Sequence, residues 1–354
     1  MDGLGYQKVF ITGASGWLGR MFMETLVKGS NDFPEIFQPD ENCEIHCLLL
    51  PNEDSGFLTS LNKNIHIHYG DMNNKETVAS FLNGSKDGLV VCLAGIIHPK
   101  KISELYMVNA FGTLSVVEEA VKQEAAKCIV ISSNSPCGNN PSRNHLFTEE
   151  SPYHPYMSYG KSKMMLEIGA KYICKKTKTT LCIIRPCWFY GPYQPERQSL
   201  FFRMIRDGKA PILGDGNNMR SMSYIGNVVQ GIILASQKNI ASGSIYWIAD
   251  KKPYSMNEIT ATIETLLEKE FHISCKKTRM KLPSFFSEIA MFFDYILQSL
   301  GLYVQKIHVL SEMNKTIACS IEKAEKELGF VPKISLEEGM RRSIKDLINR
   351  NGKL

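Results

Sequence analysis

At 354 residues, the chain exceeds one average domain and has room for a large α/β unit with a smaller lobe. Its 41 basic and 36 acidic side chains leave a diffuse net charge of +5, which argues against a nucleic-acid partner. Ten cysteines without any C-x-x-C spacing are typical of free core thiols, so we expect no disulfide framework, no metal and a cytoplasmic location. No apolar run is long enough for a spanning helix, and no signal peptide is recognised at the N-terminus.

The stretch over residues 9–20 combines an apolar run, a turn of small residues and the start of an amphipathic helix. Glycines at positions 13, 16 and 19 fall in that turn, where backbone without a Cβ can approach a ligand closely. The N-terminus of the following helix offers free N–H groups and the positive end of a dipole to a pyrophosphate. The stretch therefore predicts a dinucleotide site, with a glycine-rich turn that binds nothing as the alternative.

Short apolar runs alternate with helical patterns as far as residue 94. Strands are predicted at residues 45–50, 65–69 and 89–94, and a helix is predicted at 75–82. Strands that alternate with helices indicate a parallel sheet with right-handed crossovers. We therefore predict an α/β fold with a doubly wound parallel sheet, in which ligands bind at the carboxyl ends of the strands.

The ends of the second and third strands bear on the choice of cofactor. An acidic residue at the end of the second strand would bind the ribose hydroxyls of NAD, but the segment there is Leu50-Pro51-Asn52-Glu53. Neither an obvious acid nor an obvious arginine occupies the position, so NAD and NADP both stay open, with NAD slightly favoured. Asp71, after the third strand, either accepts a hydrogen bond from the adenine amino group or caps the helix at 73–82.

The alternation continues through the middle of the chain. One long helix is predicted over residues 102–127, then a strand over 128–133, a helix from about 156 to 176 and a strand over 181–186. A later strand at 244–249 is expected to return to the same sheet.

Tyr159 and Lys163 are four residues apart, which places both side chains on one face of their helix. A nearby ammonium favours the phenolate, so we expect Lys163 to lower the pKa of Tyr159 from its usual value of about 10. Such a tyrosine can take a proton from an alcohol as hydride leaves, or return it to a carbonyl. Ser133, at the end of the neighbouring strand, could hold the same oxygen by a hydrogen bond. The alternative for the pair is a solvated helix face beside a core tyrosine.

The composition changes after residue 186, and the C-terminal third is interpreted as a small lobe over the carboxyl edge of the sheet. Residues 282–304 are strongly apolar and follow the basic residues Lys276, Lys277, Arg279 and Lys281. This segment either lies on a membrane surface or forms a helix that packs on the small lobe or lines the cleft. Glu288 and Asp294 interrupt the run and favour the packed helix.

A series of short motifs runs through nearly the whole chain: TGASGWLG at 12–19, Gly70-Asp71, Leu93-Ala94-Gly95, Asn109 with Gly112-Thr113, Ser132-Ser133, YGKSK at 159–163, Arg185-Pro186, Tyr190-Gly191-Pro192, Gly214-Asp215-Gly216, LGFVP at 328–332 and Glu338-Gly339. In this order and spacing, the chain resembles the extended short-chain dehydrogenase/reductase superfamily, of the NAD-dependent epimerase/dehydratase type. The resemblance implies a Rossmann domain over residues 1–186 with about 226–250, and a smaller C-terminal α/β substrate lobe over 187–225 and 251–354.

The resemblance also implies roles for individual residues. Ser133, Tyr159 and Lys163 would form the catalytic set, with Tyr159 as the acid/base and Lys163 on the nicotinamide ribose. The cofactor is expected to contact Gly13, Ser15, Gly16, Trp17, Leu18, Gly19, Asp71, Met72, Leu93, Ala94, Gly95, Asn109, Tyr159, Lys163 and Pro186. The substrate is expected to contact Ser133, Ser135, Trp188 and Arg220. The alternative for Asn109 is a residue that only shapes its helix, and the alternative for Arg220 is a surface arginine.

Relatives commonly form homodimers through the helices that here would span residues 102–126 and 155–176. The outer faces of these helices would include Leu105, Met164, Met165 and Ile168. A homodimer is therefore expected.

Departures from the family pattern keep the substrate open. Asn134-Ser135 follow Ser133 where dehydratases have Asp-Glu, and Trp188 stands where many nucleotide-sugar enzymes have an asparagine. The leading prediction is an NAD(P)-dependent epimerase or ketoreductase of a nucleotide-linked sugar. Residues 214–235 and the apolar segment at 282–304 also resemble the 3β-hydroxysteroid dehydrogenase branch, so an oxidoreductase of a lipophilic alcohol is the alternative. A third hypothesis is a redox-sensing module without catalysis, which the Tyr159–Lys163 pair disfavours.

Overall fold

The computed structural model describes residues 3–61 and 64–354. The strands are β1 Lys8–Thr12, β2 Glu44–Leu49, β3 Ile65–Tyr69, β4 Leu89–Cys92, β5 Lys127–Ile131, β6 Thr180–Pro186, β7 Trp188–Tyr190, β8 Pro211–Leu213, β9 Met219–Arg220, β10 Met222–Tyr224, β11 Ser244–Ile248, β12 Tyr254–Ser255 and β13 Met280–Leu282.

The α-helices are α1 Trp17–Lys28, α2 Gly56–Leu61, α3 Lys75–Phe81, α4 Ile102–Tyr106, α5 Thr113–Lys122, α6 Met157–Cys174, α7 Glu196–Arg206, α8 Ile225–Gln237, α9 Met256–Lys269, α10 Phe285–Ser299, α11 Gln305–Glu312 and α12 Leu336–Asn351. π-Helical segments cover Met107–Gly112 and Ala324–Leu328.

A parallel sheet of seven strands, in the order β3-β2-β1-β4-β5-β6-β11, forms the centre of the described chain. The chain leaves β1 for β2 and β3 on one side and resumes at β4 on the other, so the strand order reverses between β1 and β4. A crevice opens at the carboxyl ends of the strands where the order reverses, and doubly wound sheets bind ligands there. The predicted doubly wound α/β fold is confirmed, and the strand at Ser244–Ile248 does return to the sheet, beside β6.

Helices cover both faces of this sheet. One core packs α1 and α8 against side chains such as Ile11, while the other packs α3, α5 and α6 against side chains such as Phe10. Every residue of β4 and β5 is buried, which explains why these strands are near-continuous apolar runs rather than alternating ones.

A third core lies in the C-terminal part of the chain, where α7, α9 and α12 contribute Phe202, Ile263 and Ile344. Asp250, directly after β11, fastens this lobe to the carboxyl end of the sheet. Its carboxylate accepts hydrogen bonds from the Tyr190 hydroxyl at 2.5 Å and from the Tyr224 amide at 3.2 Å.

The helix predicted over residues 102–127 is continuous from Ile102 but ends at Lys122. It consists of α4, a π-helical segment and α5. Asn109 lies in the π-helical segment and turns its amide inward to bond the Ile96 amide and carbonyl, each at 2.8 Å. Widened helical turns of this kind are frequent at functional sites. Leu105 is only 1% exposed, so it does not belong to the outer face as expected, whereas Met165 and Ile168 are exposed.

The helix after β3 begins at Lys75, as predicted, because Asn74 caps it. The Asn74 side chain accepts a hydrogen bond from the Thr77 amide at 2.7 Å. Asp71 instead accepts from the Asn73 amide at 2.9 Å, so the proposal that Asp71 caps this helix is wrong.

The apolar segment predicted at 282–304 contains α10, followed by a turn and α11. In the described part of the chain, no helix combines the length and the apolar character that crossing a bilayer requires.

Candidate functional site

The glycine turn lies at the crevice between β1 and β4, directly before α1. Gly13 has a φ of 75°, and a Cβ on it would lie 2.5 Å from the Ala94 amide nitrogen. A Cβ on Gly19 would lie 2.1 Å from the Gly13 carbonyl oxygen. The first turn of α1 can therefore pack this closely on the glycine turn only because residue 19 has no side chain. Gly16 caps α1 without a side-chain hydrogen bond. The first N–H groups of α1 are therefore open to an anion, and the turn fits the pyrophosphate of a dinucleotide.

The other residues predicted in this turn differ in their surroundings. Ser15 donates a hydrogen bond to the Glu53 carboxylate at 2.5 Å, and the Trp17 indole donates to the Pro192 carbonyl at 2.6 Å. Leu18 is buried in the core beneath α1. The side chain of Leu18 therefore faces away from the crevice, and only its backbone belongs to the turn.

The loop after β4, residues 93–97, lies between the glycine turn and α6. A Cβ on Gly95 would lie 3.1 Å from the Asn109 amide oxygen and 3.4 Å from the Lys163 ammonium nitrogen. Asn109 holds this loop through its two bonds to Ile96. Leu93 and Ala94 are partly exposed beside the turn. The loop therefore joins the predicted cofactor residues to the predicted catalytic lysine.

Asp71 and Met72 follow β3 at the same carboxyl edge. Asp71 is exposed, whereas Met72 is buried beside Gly112, where a Cβ would lie 2.8 Å from the Met72 Cγ. Pro186 ends β6 and is buried. Of these three side chains, the Asp71 carboxylate is the one open to an incoming ligand.

Ser133, Tyr159 and Lys163 come together where β5 ends and α6 begins. The Ser133 hydroxyl lies beside the Tyr159 phenol and acts to lower the pKa of that phenol. The Lys163 ammonium donates to the Ile131 carbonyl at 2.9 Å, one turn along α6 from Tyr159. Ser135 adds a second hydroxyl, 3.4 Å from that of Ser133. These contacts place a proton donor, a hydroxyl pair and an ammonium group around one position.

The expectation that Lys163 lowers the pKa of Tyr159 is wrong for this structure. Burial raises the pKa of Tyr159 to about 12, the neighbouring Ser133 hydroxyl opposes this rise, and the charge of Glu312 adds to it. Burial also lowers the pKa of Lys163 to about 8, while the charge of Glu167 opposes this. Burial outweighs the pair interaction because both groups lose water and Lys163 bonds a carbonyl. Tyr159 is therefore a protonated acid at neutral pH.

The two predicted substrate residues outside the catalytic set lie in the C-terminal lobe. Arg220 is 9% exposed, so it is not a surface arginine, and it donates to the Glu312 carbonyl at 2.5 Å. Its Nε is buried with no partner among the described residues, and burial lowers the pKa of the guanidinium. Trp188 packs on Phe201 with ring centroids 5.6 Å apart, and its indole lies 3.4 Å from the Gln198 side-chain oxygen.

The model of the NAD-dependent epimerase/dehydratase family matches residues 9–249. This range contains the glycine turn, Ser133 and the Tyr159–Lys163 pair. The chain belongs to the NAD-dependent epimerase/dehydratase family. It is therefore an enzyme of the extended short-chain dehydrogenase/reductase type, as its sequence motifs predicted.

Curated relatives of this epimerase/dehydratase span nearly its whole length. An uncharacterized protein of Sinorhizobium fredii, y4nL, is 42% identical over 97% of this chain and 96% of its own. The N-acetyl-alpha-D-glucosaminyl-diphospho-ditrans,octacis-undecaprenol 4-epimerase of Escherichia coli O157:H7 is 26% identical over 95% of this chain and 94% of its own. The decarboxylating sterol-4-alpha-carboxylate 3-dehydrogenase of Saccharomyces cerevisiae is 24% identical, over 95% and 96%.

Solved structures of epimerases and dehydratases share the fold. The UDP-glucuronic acid 4-epimerase of Bacillus cereus in complex with NAD is similar with a TM-score of 0.73 and 21% identity, over 97% of this chain and 99% of the other. The dTDP-glucose 4,6-dehydratase DesIV of Streptomyces venezuelae is similar with a TM-score of 0.74 and 22% identity, over 97% of each chain.

A buried ion pair lies beneath Ser133 and the helix that carries Tyr159 and Lys163. Arg185 in β6 and Glu167 in α6 are 1% and 0% exposed, and their bonds measure 2.6 and 2.9 Å. Glu167 also accepts from the Ser132 hydroxyl at 2.5 Å and the Tyr153 hydroxyl at 2.8 Å. One carboxylate thereby joins β5, β6, α6 and the loop before α6. The carboxylate fixes the distance between Ser133 and the helix that carries Tyr159.

Sequence reasoning missed three acidic residues at this site: Glu53, Glu167 and Glu312. Glu167 follows Lys163 by four residues, so helix spacing could have revealed that the two share a face. Glu53 lies in the turn after β2, three residues beyond the position where an acid was expected. Glu312 lies more than 150 residues from Tyr159, so no local pattern connects them.

Another group of potential ligands lies outside the site, at the edge of the sheet. Glu44, His46 and His66 bring their ligand atoms within 4.8 Å of one another. His46 stacks on Phe10 and bonds His68 at 3.1 Å, and Glu44 pairs with a lysine. Burial lowers the pKa of His46 to about 4, so the ring stays neutral. Packing and ordinary ion pairs thus account for these side chains.

We expect Arg185→Met to destabilise the protein by about 3–5 kcal/mol, because it leaves the Glu167 carboxylate buried without its partner. The measurement is the free energy of unfolding in urea, with Arg143→Met as the matched control. Arg143 pairs with Asp215 at the surface, and its loss should cost below about 1 kcal/mol. Equal losses in the two variants would contradict the role given to the buried pair.

Proposed function

We propose that this protein is an NAD-dependent oxidoreductase of a nucleotide-linked sugar, acting as an epimerase or a ketoreductase. The observation that carries the proposal is the meeting of Ser133, Tyr159 and Lys163 beside the glycine turn. The Rossmann part, residues 1–186 with about 226–250, would hold the cofactor, and the lobe would hold the sugar nucleotide. Asn134 and Ser135 carry no carboxylic acid to drive elimination, so dehydration is disfavoured.

The residues of the chain divide the chemistry among them. A bound NAD would supply the hydride acceptor, or in its reduced form the donor. The Tyr159 phenol gives its proton to the substrate carbonyl oxygen in reduction and takes it back in oxidation. Ser133, with Ser135 beside it, hydrogen-bonds that oxygen and holds it in line with the phenol. Lys163 supplies positive charge that stabilises the phenolate formed when Tyr159 gives up its proton.

Arg220 supports a substrate that carries a diphosphate. A buried guanidinium without a carboxylate partner is costly, and Arg220 is bonded only to a carbonyl in the described chain. An anionic group in the lobe would satisfy the free Nε and recover that cost. Among relatives, the Escherichia coli 4-epimerase acts on a sugar bearing a diphosphate, according to its name, and the putative UDP-glucose 4-epimerase of Methanocaldococcus jannaschii is 23% identical.

A sterol-type alcohol is the second candidate substrate. The relatives at 24–26% identity include 3β-hydroxysteroid dehydrogenases, and the names of some contain a sterol carboxylate that could also pair with Arg220. Trp188 and Phe201 give the lobe an aromatic wall that an apolar substrate could contact. Ligand binding separates the two candidates.

A UDP- or dTDP-sugar should raise the melting temperature of the wild-type protein, whereas sterols and isoprenoid alcohols should not. Arg220→Met should lose this rise, because the diphosphate loses its cation, and Arg143→Met should keep it. Differential scanning fluorimetry with NAD present measures both. A response to sterols or isoprenoid alcohols alone would refute the sugar proposal.

Tyr159→Phe should keep the rise in melting temperature but lower turnover by about 10²–10⁴-fold, because the acid/base is lost while the binding residues remain. The readout is single-turnover hydride transfer with the ligand that stabilises the protein. Unchanged turnover would instead favour a redox-sensing module over an enzyme that uses Tyr159.

We also propose that the cofactor is NAD rather than NADP, because Glu53 lies beside the glycine turn. Its carboxylate accepts from Ser15 at 2.5 Å and from the Leu50 amide at 2.9 Å. An acceptor in this place suits the ribose hydroxyls and repels a 2′-phosphate. Arg20 is not free to bind a 2′-phosphate instead, because it donates to the Ser15 carbonyl and its guanidinium carbon lies 4.9 Å from the centre of the Phe57 ring.

Glu53→Gln should raise the affinity for NADP relative to NAD by about tenfold, because it removes one charge and keeps the side-chain shape. Asp54→Asn is the matched control, since it neutralises the adjacent acid. The Asp54 carboxylate accepts a hydrogen bond from the Gly56 amide, outside the glycine turn. Titration of both cofactors by calorimetry gives the ratio. An unchanged ratio in Glu53→Gln would contradict the assignment.

The pH dependence of reduction should reflect Lys163. Its pKa is lowered to about 8, so the ammonium that stabilises the forming phenolate is lost as the pH rises through that value. The rate of carbonyl reduction, as kcat/KM from pH 6 to 10, should therefore fall above about pH 8. Lys163→Arg should shift this fall to higher pH because arginine stays charged. An identical falling limb in both proteins would exclude Lys163 as its source.

We further propose a homodimer and a cytoplasmic location. Exposed apolar side chains on the outer faces of the predicted dimer helices, Phe111, Met165, Ile168 and Tyr172, support the dimer. The ten cysteines are all free and mostly buried, which suits a reducing compartment.

A further inference from the structure

Helix α10 presents a continuous apolar stripe to solvent. Its large side chains recur at helical spacing and are between 37% and 70% exposed: Phe285, Ile289, Phe292, Phe293, Ile296 and, just past its end, Leu300. We refer to these six residues as the α10 face. Single exposed apolar side chains are ordinary on a protein surface, but a contiguous stripe marks a site of interaction.

The orientation of α10 is fixed from the opposite side by polar contacts. Ser287, Asp294 and Gln298 are buried and point toward α11. Ser287 donates to the Ser311 carbonyl at 2.8 Å, and Asp294 pairs with His308 at 2.7 Å. An ordinary surface helix buries its apolar stripe and exposes its polar one, and α10 does the reverse. Turning the apolar stripe inward would break these buried bonds, so its exposure is built into the fold.

The same contacts tie α10 to the start of the catalytic helix. The Gln298 side-chain oxygen accepts from the Ser158 amide at 3.0 Å, next to Tyr159. The Tyr156 and Ser311 hydroxyls are 2.6 Å apart. Whatever the α10 face contacts is therefore held close to the start of the helix that carries Tyr159.

Unpaired positive charges lie at both ends of the α10 face. Lys281 precedes it, Lys306 follows it in the first turn of α11, and Lys101 pairs in a β-bridge with Leu302. All three are exposed, and none has a carboxylate within ion-pair distance in residues 3–61 and 64–354. The exposed acid on α10, Glu288, is already neutralised by Lys315. The surroundings of the stripe thus carry a net positive charge.

We propose that the α10 face docks on the surface of a lipid bilayer that carries anionic headgroups. An apolar stripe of phenylalanine and isoleucine beside lysines matches an interfacial helix, which inserts its apolar side chains at the acyl boundary and keeps its cations among the headgroups. Docking brings the start of α6, which carries Tyr159, close to the membrane surface. This inference does not depend on which substrate the site binds.

Charge favours a bilayer over a second copy of the chain as the partner. In a two-fold dimer through this face, the lysines at the ends of one stripe would meet lysines of the other copy, and the exposed acid on α10, Glu288, is already paired with Lys315. Anionic headgroups pair with the same lysines instead.

Binding of the full-length protein to unilamellar vesicles tests the proposal. The protein should sediment with vesicles of 70% phosphatidylcholine and 30% phosphatidylglycerol, and bind phosphatidylcholine vesicles at least fivefold more weakly. Phe292→Ser/Phe293→Ser should weaken binding at least tenfold. Lys281→Gln and Lys306→Gln should each weaken it about fivefold on the anionic vesicles only.

The matched control is Leu146→Ser/Val331→Ser, which changes two exposed apolar residues outside the α10 face. It should bind as the wild type does. The proposal would be overturned if the wild-type protein bound neither kind of vesicle. It would also be overturned if Phe292→Ser/Phe293→Ser, the α10 variant, bound as well as the control. A halved mass of the α10 variant by light scattering, with the control unchanged, would also overturn it, because a second copy would then cover the face.

Fluorescence provides a second readout that does not depend on removing apolar area. Phe292→Trp should add an emission component that shifts to the blue and is quenched by brominated acyl chains when anionic vesicles are added. Val331→Trp should show neither change. Equal responses at both positions would overturn the assignment of binding to the α10 face.

Discussion

The buried contact between Arg185 and Glu167 is the interaction on which the site depends. It joins β6 to α6, and its carboxylate also holds Ser132 at the end of β5 and Tyr153 in the loop before α6. A pair this deep is maintained only when each charge is well bonded, since either charge alone would be expensive to bury. The ends of two strands and the start of the catalytic helix are therefore fixed relative to each other.

The chemistry of the site follows from that geometry and from burial. Tyr159 and Lys163 lie above Glu167 on one helix, and the removal of water raises the pKa of Tyr159 while it lowers that of Lys163. Both shifts favour the neutral form, because the environment is poor in solvent. The site thus holds a protonated phenol near Ser133, which suits the proposed role of Tyr159 as a proton donor.

The C-terminal lobe adds two surfaces of different chemistry to this centre. Arg220 is buried and makes no direct ion pair with a described carboxylate, which suits an anionic substrate, whereas the α10 face is exposed and apolar, which suits a lipid surface. Residues of α11 touch both: the Glu312 carbonyl bonds Arg220, and Ser311 and His308 hold α10. A short helix thereby connects the proposed membrane contact, the proposed anion site and the catalytic helix.

The sequence by itself determined the sheet and the glycine turn and singled out Ser133, Tyr159 and Lys163 as candidates, because apolar runs, glycine spacing and the i, i+4 relation of Tyr159 and Lys163 are local patterns. Only the tertiary structure decided features that depend on distant partners. Asn109 lies in a π-helical segment and bonds Ile96, burial reversed the expected pKa shift of Tyr159, and Glu53 reached the glycine turn from beyond its expected position. The inverted orientation of α10 likewise follows from bonds to α11 that its own apolar composition does not specify.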